Sequence, residues 1–209
     1  KRCKQIADSY HADDIVIVAT SATREASNGQ LFIDRVKREV GLDINLISGL
    51  EEARRIYLGV LSGMELHGKP HAIIDIGGGS TEIILGTGER HRFLSSTKVG
   101  AVRLNAQMVT TNPINTAEFL QLQAYVRGRL EPSIDELKLK LVENEPLSVI
   151  GTSGTIESLA ILTAIDKLGT VPARINGYTM TMAELERCTQ KLRRKSFSER
   201  LKLPENSAR

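Results

Sequence analysis

Asp75-Ile76-Gly77-Gly78-Gly79-Ser80-Thr81-Glu82 joins two apolar runs, Ala72–Ile76 and Thr81–Leu85, and its reading decides the fold. The runs are strand-sized and rich in β-branched residues, so the segment reads as a β-hairpin. Three glycines admit positive φ and let successive N–H groups converge on an anion with no Cβ in the way. Asp75 and Glu82 bracket the loop and can face one pocket, holding a divalent cation directly or through water. The plainer reading is a glycine hairpin with two surface acids. A P-loop is excluded, because Gly-Lys-Ser/Thr and a following helix are both missing. A dinucleotide fingerprint would need glycine where Glu82 stands and a helix where Ile83-Ile84-Leu85 reads as strand.

Outward from the hairpin, strands and helices alternate, which indicates an α/β protein. Lys1 to His11 reads as the end of a helix, and Ile15–Ala19 as a strand buried on both faces. Leu31, Phe32, Val36 and Val40 repeat at helical spacing until Gly41. Ile44–Ile47 is a short strand. Ile56, Tyr57, Val60, Leu61 and Met64 stripe a helix from about Gly49 to Leu66. Gly68-Lys69-Pro70 marks the domain boundary, giving domains 1–69 and 70–209. Phe93–Ser96 continues the second sheet, and 116–141 is helical with an interruption near Pro132. A strand at Leu147–Ile150, a helix at Ile156–Leu168 and a basic helix at about Met182–Lys195 follow.

Three further segments carry chemistry. Gly151-Thr152-Ser153-Gly154-Thr155 lies between a strand and a helix, where unpaired donors and the helix dipole attract phosphate. Such residues also cap ordinary helices; beside the first loop, they suggest one anionic substrate gripped by two turns. Ser48 with Glu51 fits a capping box, which leaves Glu52 as the free carboxylate. Held ionised by a helix N-terminus, Glu52 is a candidate general base, the plainer role being a dipole partner. Arg24 follows the first strand and can fork onto a phosphate or pair with a nearby acid. In the last helix, Arg187, Lys191, Arg193, Arg194 and Lys195 form either a solvated face or a polyanion track.

Composition narrows the classes. The 209 residues are 41% hydrophobic and 25% charged with 17 Gly and 6 Pro, which excludes disordered and collagen-like chains. No apolar run approaches a membrane span. Two cysteines in no motif make the cytoplasm the expected compartment. With no Trp, 4 Phe and 4 Tyr, a base-stacking nucleic-acid surface is not expected. A net charge of +3 does not by itself argue for a polyanion. Gly68 and Pro70 break the helix that His67 and His71 would need to share a metal.

Taken in order, these segments resemble the exopolyphosphatase / guanosine pentaphosphate phosphohydrolase family. The resemblance is carried by Ala19–Ala26, Ile47–Arg54, Asp75–Glu82, Val99–Leu104 and Ile150–Leu159, and it covers nearly the whole chain. It implies the two-domain, ribonuclease H-like fold of the actin, sugar-kinase and Hsp70 superfamily. In family terms, residues 1–69 would be the C-terminal part of the first such domain, and 70–209 most of the second. The second Glu of Glu-Glu-Ala-Arg acts as base in the family, which falls on Glu52. Asp75 and Glu82 would assist Mg²⁺ or another divalent cation. Phosphate would be held by Gly77, Gly78, Gly79, Ser80, Gly151, Thr152, Ser153, Gly154 and Thr155, with Arg24. The family's opening Asp-x-Gly-Ser-Asn-Ser hairpin has no counterpart before Lys4, and its closing segment is missing past Arg209. The expectation is therefore an internal fragment, incomplete at both ends.

The implied activity is metal-dependent removal of terminal orthophosphate from inorganic polyphosphate. Alternatives are guanosine pentaphosphate 5′-phosphohydrolysis and a non-catalytic nucleotide or polyphosphate sensor on the same fold. A sugar kinase is disfavoured, because the Glu52 block argues for water as the acceptor. The implied partners are polyphosphate or guanosine pentaphosphate, with a homodimer left open and neither nucleic acid nor membrane expected.

Overall fold

The computed structural model describes residues 1–203. The polar tail 204–209, and with it the end of the expected 70–209 domain, lies outside the described residues. The chain divides into two compact units, 1–52 and 53–209.

In the first unit, α1 (Arg2–Ser9) precedes β1 (Ile17–Ala19), α2 (Ser21–Glu25), α3 (Gly29–Val40) and β2 (Ile44–Leu46). β1 and β2 pair in parallel, Ile17 opposite Ile44 and Ala19 opposite Leu46. α3 makes the crossover and ends on Gly41, whose φ of 72° closes the helix in the left-handed conformation. The strand expected from Ile15 and buried on both faces is shorter and half-buried; Val16 is 79% exposed. Among the described residues β1 pairs only with β2, which leaves its other edge without a strand beside it.

α4 (Gly49–Gly63) begins in the first unit and continues into the second. The packing division thus falls within α4, whereas the expected boundary at 68–70 separates whole elements. From Ala53 onward, α4 is counted with the sheet it covers.

That sheet comprises β3 (His71–Ile76), β4 (Thr81–Gly86), β5 (His91–Thr97) and β6 (Ser148–Thr152), in the order β5-β4-β3-β6. β3, β4 and β5 form an antiparallel meander, and β6 returns parallel to β3. The period of two along each strand sorts the side chains. Leu94, Ile84, Ile73 and Ile150 share one cross-strand row and pack with Ala53, Tyr57 and Val60 of α4. The other face presents Ala72, Ile83, Leu85 and Phe93 to Leu137 and to the partly buried Leu130 of α6 (Thr116–Leu139). Ile73, Ile84 and Leu85 are completely buried, each stabilising the fold by about 1.5–3 kcal/mol.

α6 runs through Pro132 without the expected interruption. Pro132 deprives only the Gly128 carbonyl of its helical partner, and Gly128 is exposed to water. The remaining helices are α5 (Ala101–Met108), α7 (Ser153–Leu168), α8 (Met182–Arg193) and α9 (Phe197–Arg200). No described helix is long and apolar enough to cross a membrane.

Candidate active site

In the second unit, the apolar row on the α4-facing side of the sheet is followed, two residues on, by a polar one. Ser96, Glu82, Asp75 and Thr152 stand directly opposite one another across β5, β4, β3 and β6. Register partners share a face, so the two acids bracketing the glycines project to the same side. Like charges in this relation destabilise a sheet, and Glu82 is only 1% exposed. Each carboxylate is held by the hydroxyl at its outer side. Thr152 Oγ1 donates to Asp75 Oδ2 at 2.5 Å, and Ser96 Oγ donates to Glu82 Oε1 at 2.6 Å.

This donor set fits a hard divalent cation, since two carboxylates with flanking hydroxyls supply only oxygen. Mg²⁺ is commonly held by one or two carboxylates together with substrate phosphates. Among the described residues, no group of three or more His, Cys, Asp and Glu is arranged for a metal. Two protein carboxylates are therefore what the sheet offers.

The glycine loop is braced from below. The N–H of Gly77 donates to the Ser80 carbonyl at 3.0 Å, closing the turn. The N–H groups of Ala101, Val102 and Arg103, at the start of α5, donate to the carbonyls of Gly77 and Gly78 at 2.9–3.0 Å. Arg103 Nε adds a bond to the Gly79 carbonyl at 2.8 Å. The loop's carbonyls are thus turned into protein. Among the described residues, the N–H groups of Gly78, Gly79 and Ser80 donate to no backbone carbonyl. Gly77 and Gly78 do not use the positive φ that glycine allows. A Cβ on Gly77 would meet the Ser80 carbonyl oxygen at 3.2 Å and one on Gly78 would meet Val102 at an ordinary 3.4 Å, so the close approach of α5 to the loop is made at Gly100.

In the second turn, Thr152 closes β6 and Ser153 opens α7. Thr152 caps α7 by position, but its hydroxyl is committed to Asp75 and makes no cap bond. Ser153 has φ 84°, a strained value for a residue with a side chain. Its Oγ donates to the Ile76 carbonyl at 2.8 Å, tying this turn to the first loop. The Thr152 and Ser153 hydroxyls, two of those read as phosphate donors, are therefore engaged with protein. An anion would meet the first turn of α7, with the helix dipole behind it.

The first unit holds the other two candidates together. Arg24, on α2, donates from Nη1 to the Ile47 carbonyl at 2.8 Å and pairs with Glu52 Oε2 at 3.4 Å. Both side chains are largely buried, at 22% and 17% exposure. The Glu51 N–H donates to Ser48 Oγ at 3.2 Å, as the capping box requires. Arg24 therefore orients the Glu52 carboxylate and still has further guanidinium donors in its inventory of five.

In the basic helix α8, Lys191 pairs with Asp166 at 2.6 Å, and Arg193 stacks 4.5 Å from the centre of the Phe119 ring. Arg187 and Arg194 are exposed, and Lys195 is half-buried.

Sequence reasoning missed the roles of Ser96, Gly100 and Arg103. For Ser96 a signal existed: two residues from Leu94, it falls on the same strand face as the acids. The bracing by α5 has no local signal, because the helix start reaches back to carbonyls more than twenty residues earlier.

The Ppx/GppA phosphatase family model matches residues 1–209. Exopolyphosphatase 2 of Mycobacterium tuberculosis is 31% identical over 176 residues, covering 80% of this chain and 54% of that protein. Guanosine-5′-triphosphate,3′-diphosphate pyrophosphatase of Aliivibrio fischeri is 32% identical over 147 residues, covering 70% and 29%. The solved exopolyphosphatase of Cytophaga hutchinsonii superposes with a TM-score of 0.87 at 26% identity, covering 98% of this chain and 64% of that one. The chain thus spans about half or less of the curated relatives named here.

Proposed function

The chain belongs to the Ppx/GppA phosphatase family, and from that premise we propose that the protein hydrolyses terminal phosphoanhydride bonds, releasing orthophosphate from inorganic polyphosphate with a divalent cation. The observation that carries this reading is the row Ser96–Glu82–Asp75–Thr152 beside a glycine turn. It would combine two hard-oxygen cation ligands with the amides of that turn at the end of one sheet.

Asp75 and Glu82 would hold the cation. When bound, it supplies positive charge against the phosphate oxygens of a loose phosphoryl transition state. The N–H groups of Gly78, Gly79, Ser80 and the first turn of α7 would orient the terminal phosphoryl group and stabilise its charge, their positions already set by α5 and Ser153. Glu52 would accept the proton of the attacking water, with Arg24 fixing its carboxylate and offering its remaining donors to phosphate. In family terms, residues 1–69 and 70–209 would belong to successive ribonuclease H-like domains.

Guanosine pentaphosphate hydrolysis is the second reading, favoured by the engagement of two of the five basic side chains between Arg187 and Lys195 within the protein. The test is phosphate release by the full-length protein from polyphosphate and from guanosine pentaphosphate, each with and without Mg²⁺. Release from neither substrate at any Mg²⁺ concentration would reject hydrolysis and leave a sensor.

A further inference from the structure

Asp75 and Glu82 are each held by a hydroxyl one strand further out. Thr152 lies in a turn already assigned to phosphate, but nothing in the reading above gives Ser96 a task. Ser96 is half-buried on β5, opposite Glu82 in register, and its Oγ lies 2.6 Å from Glu82 Oε1. That is the length of a charge-assisted O–H···O⁻ bond. A glutamate reaches its neighbours through three rotatable bonds, the last of them broad and soft. Packing encloses Glu82, and the Ser96 hydroxyl is one of the groups that hold the plane of its carboxylate.

We propose that Ser96 is a positioning residue, which holds the Glu82 carboxylate in the orientation that binds a divalent cation together with Asp75. The proposal rests on the assignment of Asp75 and Glu82 to the cation. It assigns Ser96 no contact with substrate. The neighbouring Ser95 supplies an internal control, because it lies on the opposite face of β5 and bonds weakly to the Ile83 carbonyl at 3.4 Å.

The experiment measures Mn²⁺ binding to the full-length protein without substrate, from the electron paramagnetic resonance signal of free Mn²⁺. Thermal unfolding of each variant is recorded alongside. Ser96→Ala should raise the Mn²⁺ Kd by about 10–100-fold, the usual consequence of losing a partner behind a metal ligand. Ser96→Thr keeps the hydroxyl and suits a strand, so it should stay near wild type, as should Ser95→Ala. Glu82→Gln should weaken binding at least as much as Ser96→Ala. If Glu82→Gln weakens binding and Ser96→Ala does not, the role of Ser96 is overturned and the metal assignment stands. If Glu82→Gln leaves binding unchanged, both fall together. Should Ser96→Ala fail to fold, Ser96→Cys carries the test, since its S–H is a weak donor of similar shape; wild-type affinity in that variant would overturn the proposal.

Discussion

Gly100→Ala tests whether the α5 terminus sets the shape of the phosphate loop. Gly100 is the N-cap of α5, with φ −131° and ψ 153°, extended backbone that any residue adopts. Glycine is therefore required there by space alone. A Cβ at this position would lie 2.4 Å from the carbonyl carbon and oxygen of Gly78 and from the nitrogen of Gly79, whereas ordinary contact begins at 3.4 Å. These are backbone atoms, so no side chain can rotate away. Loop and helix end must separate by about 1 Å. The separation strains the three N–H bonds from Ala101, Val102 and Arg103 to the Gly77 and Gly78 carbonyls. Overpacking costs about 1–3 kcal/mol, and each weakened bond about 0.5–1.5 kcal/mol. A loss of about 2.5–7.5 kcal/mol should lower Tm by roughly 5–30 °C in a domain of about 150–250 residues. Moving the cradle by about 1 Å should also cost on the order of 10²-fold in rate. Circular dichroism melting and phosphate release from polyphosphate measure the two effects in the full-length protein. Gly128→Ala, inside α6 with nothing within 4 Å of the added Cβ, is the matched control and should be neutral or slightly stabilising. A Gly100→Ala protein with wild-type Tm and rate would refute the argument.

Other consequences can be checked in the same preparations. Glu52→Gln should lose about 10²–10⁴-fold in rate without recovery at high Mg²⁺. Asp75→Asn should shift the Mg²⁺ requirement upward and recover partly in excess metal; identical metal titrations for both variants would contradict the division of roles. Glu184, held down to about 2 chiefly by the Thr181 backbone N–H and then by Lys167, stabilises the junction of α7 and α8 in its charged form. Its contribution is present at neutral pH and is lost as pH falls from the usual carboxylate range through about 2. Glu184→Gln should therefore melt lower at pH 7 and converge with wild type near pH 2. Replacing Arg187, Arg194 and Lys195 together should raise KM for long polyphosphate more than for short if α8 is a track, with a salt dependence that flattens. Equal effects on both lengths would leave these residues as a solvated face.

The hairpin was legible because everything that specifies it is local. Two β-branched runs flank a turn of glycines, and the period of two then assigns Asp75 and Glu82 to one face. α3 was legible for the same reason, with Gly41 as its stop. Ser96 and Thr152 acquire their meaning only through register between strands, and Thr152 lies 77 positions from Asp75. Nothing in Gly151–Thr155 distinguishes a hydroxyl that meets phosphate from one that anchors a carboxylate. α5 escaped notice because its eight residues are shorter than the window over which a helical period stands out. Pro132 misled in the opposite direction, since the cost of a proline falls on one carbonyl, and water can reach the exposed Gly128. The engagement of Lys191 and Arg193 was equally out of reach, as Asp166 and Phe119 belong to other helices.

In the second unit, the proposed grip on phosphate consists of main-chain amides, and this bears on specificity. The hydroxyls of Thr152, Ser153 and Ser96 all donate to protein acceptors. They stiffen the site before an anion arrives, and stiffness of this kind favours a developing transition state over a flexible ground state. Amides aimed at a terminal phosphoryl group read its shape and charge. Such amides would carry no group that reads the parts further along, where a polyphosphate chain and a guanosine nucleotide differ. Relatives bearing both names match this chain at 31–32% identity, which is what a cradle indifferent to the rest of the substrate would permit. Discrimination must then come from groups that meet the substrate away from the bond being broken. Exchanging Gly77–Ser80 or Gly151–Thr155 with a relative of the other activity should accordingly leave substrate preference unchanged.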